Sequence, residues 1–138
     1  MIQFFITGTS SGIGLELAKL ALEEGHKVTG ISRRHSISHA NYKHLSYNLA
    51  DYDNYKLINF NVNKEAEKTV LVNNAGWLGE VKPVGQIQPQ SIERAYQINL
   101  IAPSILTKLF LEQIQNSNSE KVVLNISSGA GKYPVKSW

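Results

Sequence analysis

A glycine-rich turn between a predicted strand and a predicted helix constrains this sequence more than any other feature. It reads Ile-Thr-Gly-Thr-Ser-Ser-Gly-Ile-Gly over residues 6–14 and follows an apolar run that begins at Ile2. An amphipathic helix pattern leaves the turn and is closed by Gly25, a residue that favours the position after a helix. The apolar face predicted for this helix is Ile13, Leu17, Leu20 and Ala21.

The glycine spacing fits a site for the phosphates of a dinucleotide. Gly8 can make the tight turn, Gly12 lets the backbone approach a pyrophosphate, and Gly14 lets the helix pack on the strand. The helix N-terminus and the hydroxyls of Thr9, Ser10 and Ser11 can donate hydrogen bonds to the same anion. The alternative is a glycine turn without a ligand. The cofactor-binding residues predicted from this stretch are Gly8, Ser10, Ser11, Gly12, Ile13 and Gly14.

An arginine pair follows the second predicted strand, residues 27–32. In a dinucleotide fold the tip of this strand meets the adenosine ribose, where an acidic residue would bind a free 2′-hydroxyl. Here Ser32 stands at the tip and Arg33 and Arg34 come next. Guanidinium groups suit a 2′-phosphate, so these three residues predict NADP(H) as the cofactor. The alternative is two solvated loop arginines.

Strands alternate with helices along the rest of the chain. This alternation predicts an α/β fold, namely a Rossmann-type doubly wound parallel sheet with five strands present of a larger sheet, and its ligand beyond the carboxyl ends of the strands. The stretch 51–64 is polar and predicts a weak helix. The remaining strands are predicted at residues 42–49, 69–72 and 121–126.

The longest predicted helix begins near Ser91 and contains Pro103. Because proline has no N–H, the helix should be kinked there, and the carbonyl of Asn99 should be left free for a water molecule.

Composition excludes several other classes of protein. The 138 residues suffice for one domain, and their net charge of +3 is scattered, so nucleic acid is not a predicted partner. Without cysteine there is no disulfide, thiol nucleophile or thiolate metal site, and His35 and His39 lack a third ligand, so no metal is predicted. No signal peptide or membrane span is apparent, and we expect a cytoplasmic protein.

Four motifs in order carry a family resemblance. They are Thr-Gly-x-x-x-Gly-Ile-Gly at residues 7–14, Asn-Asn-Ala-Gly at 73–76, Asn99 in the long helix, and Asn-Ile-Ser-Ser at 125–128. Together they closely resemble the classical short-chain dehydrogenases/reductases, and the resemblance spans the whole chain.

The resemblance implies roles for residues around the adenosine. Asn74, Ala75 and Gly76 would line the adenosine side of the cofactor site. Asn48, followed by Leu49, stands where the family usually has an aspartate that touches adenine, and an amide can fill much of that role.

The resemblance also implies a catalytic set of Asn, Ser, Tyr and Lys. Asn99 matches the asparagine, and Ser128 matches the serine that hydrogen-bonds the substrate carbonyl. The Tyr-x-x-x-Lys pair is expected beyond the end of this sequence, because Tyr133 lies too close to Ser128. Tyr52 and Lys56 have the spacing but precede the fourth strand.

We therefore expect residues 1–138 to be the NADP-binding, C-terminally incomplete part of an NADP(H)-dependent oxidoreductase. It would reduce a small ketone or aldehyde by hydride transfer, and the 138 residues would be inactive alone. The alternative is a non-catalytic nucleotide-binding module or regulator; an epimerase or methyltransferase would not readily explain residues 73–76 with the serine pair. By resemblance the full-length protein is a homodimer or homotetramer. The bulky candidates for the substrate pocket are Trp77, Leu78 and Trp138.

Overall fold

A five-stranded parallel sheet organises the protein. The computed structural model describes residues 1–51 and 55–133. The order across the sheet is β3-β2-β1-β4-β5, and every neighbouring pair is parallel, which confirms the predicted doubly wound fold. The strands are β1 Ile2–Thr7, β2 Lys27–Ser32, β3 Tyr42–Ser46, β4 Lys68–Asn73 and β5 Glu120–Asn125.

Helices cover both faces of the sheet, although the alternation is less strict than the sequence predicts. The described part of the chain has no helix between β2 and β3. Of the weak helix predicted over residues 51–64, the described residues 55–64 form only a short 3₁₀ turn, so the prediction is wrong for them. No helix in these described ranges is long and apolar enough to cross a bilayer. The α-helices are α1 Gly12–Glu23, α2 Pro89–Tyr96 and α3 Ala102–Gln113, with 3₁₀ turns at Tyr55–Leu57, Val84–Gln86 and Gly129–Gly131.

The long helix is interrupted next to Pro103. A π-helical turn, Gln97–Ile101, joins α2 to α3 and contains Asn99. A wider turn accommodates the missing N–H of proline, and such turns often occur at functional sites. The helix begins at Pro89 rather than at Ser91, because proline has the backbone φ that the first helical position requires. Whether the Asn99 carbonyl holds water stays a prediction.

Two hydrophobic cores lie on opposite faces of the sheet. On the α2–α3 side, Phe5, Phe60 and Phe110 pack edge to face, with ring centroids 5.1 to 6.2 Å apart. On the α1 side, Ile6 and Val72 pack against the helix. Phe5 and Ile6 are neighbours in β1, so the alternation of side chains in one buried strand supplies both cores.

The buried face of α1 differs from the predicted one. Ile13 is 66% exposed and Leu20 is 55% exposed. Small side chains face the sheet instead because the helix lies close to it. Gly25 closes the helix as predicted, with the Gly25 N–H donating to Leu22 and the His26 N–H donating to Ala21. The buried residues of α1 are Gly14, Ala18, Ala21 and Leu22.

Candidate cofactor-binding site

A cleft of about 360 Å³ opens at the carboxyl ends of the strands. It lies where the strand order reverses between β1 and β4, the place at which doubly wound sheets bind ligands. Of the residues predicted to bind a cofactor, eleven line it: Gly8, Ser10, Ser11, Ile13, Ser32, Arg33, Asn48, Leu49, Asn74, Ala75 and Gly76. Gly12, Gly14 and Arg34 do not line it.

Close packing around Gly8 builds the floor of the cleft. Gly8 has a φ of 77°, which favours glycine, and a Cβ there would lie 3.0 Å from the Ala75 Cα. A Cβ on Gly14 would lie 2.5 Å from the Gly8 carbonyl oxygen and would also collide with the Asn74 side-chain amide. Gly14 therefore acts as predicted, by letting α1 approach the end of β1.

Thr7 ties the glycine loop to the turn after β4. Its hydroxyl oxygen accepts hydrogen bonds from the backbone N–H groups of Asn74 and Ala75, at 3.0 and 2.9 Å. The Asn74 side-chain amide in turn donates to the Thr7 carbonyl at 2.9 Å. These bonds hold two parts of the predicted site together without using cofactor atoms.

The hydroxyls of the glycine loop do not all face the cleft. Thr9 is fully buried, and its Oγ1 lies 3.3 Å from the Ser32 Oγ and 3.0 Å from the Tyr42 hydroxyl. The prediction that Thr9 binds the anion is therefore wrong. Ser10 and Ser11 remain at the N-terminus of α1, where helix N–H groups are unpaired. The exposed residue Gly12 begins α1.

The tip of β2 presents a free guanidinium to the cleft. Ser32 is buried, and its hydroxyl donates to the Arg34 carbonyl at 2.8 Å, with His44 Nε2 at 3.1 Å. Arg33 lines the cleft, whereas Arg34 does not, and both are exposed. Neither guanidinium has a hydrogen-bond or ion-pair partner among residues 1–51 and 55–133.

Tyr42 of β3 lies partly buried beside this tip. Removal of its hydroxyl from water raises the pKa of Tyr42 above the usual value of 10.0, and the hydrogen bond with Thr9 opposes the shift. His35 stacks on Tyr42 and on His44, with centroids 6.0 and 5.0 Å away. These side chains hold the β2 tip against β3.

The residues of the cleft fit a phosphorylated dinucleotide. Among the described residues no Asp or Glu lines it, whereas Arg33 and Arg94 do. At the end of β3, the Asn48 Oδ1 accepts the Ala50 N–H at 3.2 Å, which fixes the amide where adenine is expected. Glycines, helix N–H groups and arginines together form a donor set suited to phosphate oxygens.

Sequence reasoning missed five lining residues. They include Trp77, which was proposed for the substrate pocket, and Arg94, whose guanidinium carbon lies 5.1 Å from the Trp77 ring centroid. Arg94 and Ile98 are one helical turn apart, but the sequence does not reveal which helix face meets the cleft. Leu78 is exposed and lines no described cavity. The five are Ile31, Tyr47, Trp77, Arg94 and Ile98.

Asn99 lines a second cavity of about 460 Å³, which shares Leu49, Ala75 and Ile98 with the cleft. Its side-chain oxygen accepts the Trp77 N–H, and its amide donates to the Trp77 carbonyl, both at 2.8 Å. This pair of bonds fastens the π-helical turn to the loop after β4. Asn99 therefore positions the backbone, in addition to the carbonyl role predicted for it.

The serine pair follows β5 near the same second cavity. Ser127 lines this cavity, whereas the exposed Ser128 accepts the Ala130 N–H on its hydroxyl oxygen at 3.2 Å. The buried Asn73 amide donates to Thr107 and to Asn125 at the end of β5. Ser128 keeps its hydroxyl hydrogen for another acceptor.

Three residues named in the sequence arguments are not placed in full. Tyr52 and Trp138 lie outside the described residues, and the side chain of Lys56 is likewise not described.

Comparison with known proteins gives matches along nearly the whole chain. A family model described as short chain dehydrogenase matches residues 3–138. Benzil reductases ((S)-benzoin forming) of Bacillus subtilis (strain 168) and Bacillus cereus are each 35% identical over 100% of this chain, which spans 59% and 61% of their lengths. A short-chain dehydrogenase/reductase structure from Burkholderia vietnamiensis has a TM-score of 0.82 at 24% identity, over 99% of this chain and 70% of that one.

Proposed function

The chain belongs to the short-chain dehydrogenase family, and from that premise we propose that residues 1–138 form the NADP(H)-binding part of an oxidoreductase. The observation that carries the cofactor choice is the charge of the cleft. Arg33 stands at the β2 tip, where a 2′-phosphate would lie, and no acidic side chain of residues 1–51 and 55–133 lines the cleft. The family as a whole binds nicotinamide cofactors and acts on small molecules.

Each part of the cleft then has a task in holding the dinucleotide. The glycine loop and the N-terminus of α1 would bind the pyrophosphate, and Arg33 would bind the 2′-phosphate. Asn48, Leu49 and Ala75 would enclose the adenosine. When bound, the nicotinamide ring supplies or accepts a hydride.

Two residues of the chain would act on the substrate side. Ser128 has a hydroxyl hydrogen available to orient a carbonyl oxygen, since its oxygen already accepts the Ala130 N–H. Asn99 would hold a water molecule through its backbone carbonyl while its side chain fixes Trp77. Neither group is acidic enough to deliver a proton at neutral pH.

The proposed substrate is a ketone or aldehyde, and the names of two relatives make benzil the first compound to test. Since this chain spans about three fifths of those relatives, the substrate of the whole protein is part of the proposal.

We expect the 138-residue chain to bind NADPH without reducing carbonyl compounds. The four histidines belong to α1, β2, β3 and their connections, and Tyr133 is 63% exposed with its ring against the Lys132 amine. Loss of a general acid typically costs about 10²–10⁴-fold in rate. Calorimetric titration with NADPH, together with its absorbance decay in the presence of benzil and simple aldehydes, measures both properties.

A longer chain is needed to separate the two candidate functions. Carbonyl-dependent turnover by these 138 residues would overturn the requirement for a Tyr–Lys pair, which no residues after Ser128 supply. A non-catalytic nucleotide-binding module would also bind NADPH without turnover. The free hydroxyl of Ser128 does not distinguish such a module from the cofactor-binding part of an oxidoreductase. A longer chain that carries Tyr-x-x-x-Lys and still fails with every carbonyl compound would favour the module.

We also propose self-association through the long helix. The family is typically oligomeric, and Tyr96, Leu100 and Leu111 are exposed apolar side chains along α2, the π-helical turn and α3. Leu100, which is 56% exposed, can be changed to Asp without disturbing the core. Light scattering at micromolar concentration should give a dimer or tetramer for the full-length protein and a smaller species for its Leu100→Asp variant. A monomer in both cases would contradict this proposal.

A further inference from the structure

We propose that Arg94 is a second phosphate-binding side chain of the cleft and that Trp77 holds it in position. The inference rests on the proposed cofactor-binding function. Arg94 belongs to α2 and reaches the cleft from the β4 side, while Arg33 stands on the β2 side. Its guanidinium carbon lies 5.1 Å from the centroid of the Trp77 ring, and both side chains line the cleft.

Trp77 is a fixed platform for this cation. Two hydrogen bonds of 2.8 Å from the Asn99 side chain hold the backbone N–H and the backbone carbonyl of Trp77. Asn99 lies five residues after Arg94, in the turn that continues the same helix. One helical segment therefore fixes both the backbone of Trp77 and the cation that lies over its ring.

In the part of the chain that the structure describes, no acidic side chain of the cleft compensates the charge of Arg94. Arg94 is exposed, and among the described ranges its guanidinium has no hydrogen-bond or ion-pair partner. Glu80, in the loop after Trp77, pairs with Lys82 at 3.5 Å and accepts the Gln88 N–H at 3.3 Å. A cation–π contact uses no N–H donor, so the donors of Arg94 remain available to an anion.

The chemistry that Arg94 would recognise is a phosphate oxygen. NADPH presents two sources of it, the pyrophosphate and the 2′-phosphate, whereas NADH presents only the pyrophosphate. Comparing the two cofactors therefore identifies which phosphate Arg94 contacts. A charge-assisted hydrogen bond of this kind corresponds to about tenfold or more in affinity.

The test uses Arg94→Met, which keeps much of the side-chain length and removes the charge, and Arg94→Lys, which restores a charge. Lys108→Met is the control for net charge, because Lys108 is an exposed residue of α3 that pairs with Glu112 and does not line the cleft. All variants are made in residues 1–138 and carry Trp138→Phe, so that Trp77 is the one remaining tryptophan of this stretch. Titration of its fluorescence with NADPH and NADH then reports binding directly from the cleft.

We expect Arg94→Met to weaken NADPH binding about tenfold, Arg94→Lys to recover part of the loss, and Lys108→Met to have no effect. An equal loss for NADH supports a contact with the pyrophosphate, and a loss confined to NADPH supports one with the 2′-phosphate. If the parent binds both cofactors and Arg94→Met binds them with the same affinity, the inference about Arg94 is overturned and the proposed function is not. A parent that binds neither cofactor would overturn the proposed function as well.

Discussion

Neighbouring hydroxyl groups in the glycine loop have different roles because they differ in burial. Thr9 is fully enclosed and joins Ser32 and Tyr42, so it helps hold the loop to β2 and β3. Ser11 is exposed, and its side chain does not cap α1, so its hydroxyl is available to a ligand. A buried hydroxyl must find a partner inside the protein, which removes Thr9 from the anion site.

At the residue scale, Arg33→Ala should distinguish the two nicotinamide cofactors. We expect about tenfold or greater loss of NADPH affinity and nearly unchanged NADH affinity, because one charge-assisted contact contributes roughly 1.5–3 kcal/mol. Arg34→Ala is the matched comparison, and its effect should be smaller, since Arg34 is exposed but does not line the cleft. Calorimetric titration gives both affinities. Equal losses for the two cofactors would show that Arg33 does not bind the 2′-phosphate.

At the element scale, close contact between α1 and β1 determines the shape of the cleft. The contact requires glycine at position 14, and it also places Ala18 and Ala21 against the sheet while Ile13 turns toward the cleft. The long helix contributes through hydrogen bonds instead of close packing. Asn99, in its π-helical turn, binds the backbone of Trp77 and so holds the loop after β4.

Gly14→Ala should therefore weaken both the fold and cofactor binding. The added methyl group would lie 2.5 Å from the Gly8 carbonyl oxygen, so α1 and the loop must separate. Overpacking of this kind costs about 1–3 kcal/mol. Urea unfolding and NADPH titration measure the two effects. The control is Gly85→Ala, because a Cβ on Gly85 meets nothing within 4 Å. If both variants unfold at the same urea concentration, the packing argument is wrong.

At the scale of the whole molecule, the strand order brings distant segments to one edge. β1 lies between β2 and β4, so the glycine loop, the arginine at residue 33 and the turn at residues 74–76 meet there. Two cores on opposite faces keep this edge rigid. Tyr42 joins this arrangement from β3 through its bond to Thr9.

The stability of the molecule should fall at alkaline pH partly through Tyr42. Burial raises the pKa of Tyr42 above 10.0, so the folded protein holds the phenolic proton more strongly than the unfolded chain does. This contribution is complete below pH 10.0 and is lost as the pH rises through the folded-state value. Tyr42→Phe should show a shallower decline above pH 10.0 in urea unfolding, and the exposed Tyr133→Phe should follow the parent. Parallel curves for all three proteins would contradict this assignment.

The sheet, the glycine loop and most residues of the cleft could be predicted from the amino-acid sequence. Those signals are local, since glycine spacing, apolar runs and the residue at a strand tip are read within a few positions. Three other features could not be predicted and follow from the packing of the folded chain: Thr9 is buried, Ile13 of α1 lines the cleft, and Arg94 lies over Trp77. Each of these depends on how closely a helix approaches the sheet and which of its faces meets the neighbouring loop. Side-chain contacts between elements far apart in the chain determine that geometry, and no local pattern records it.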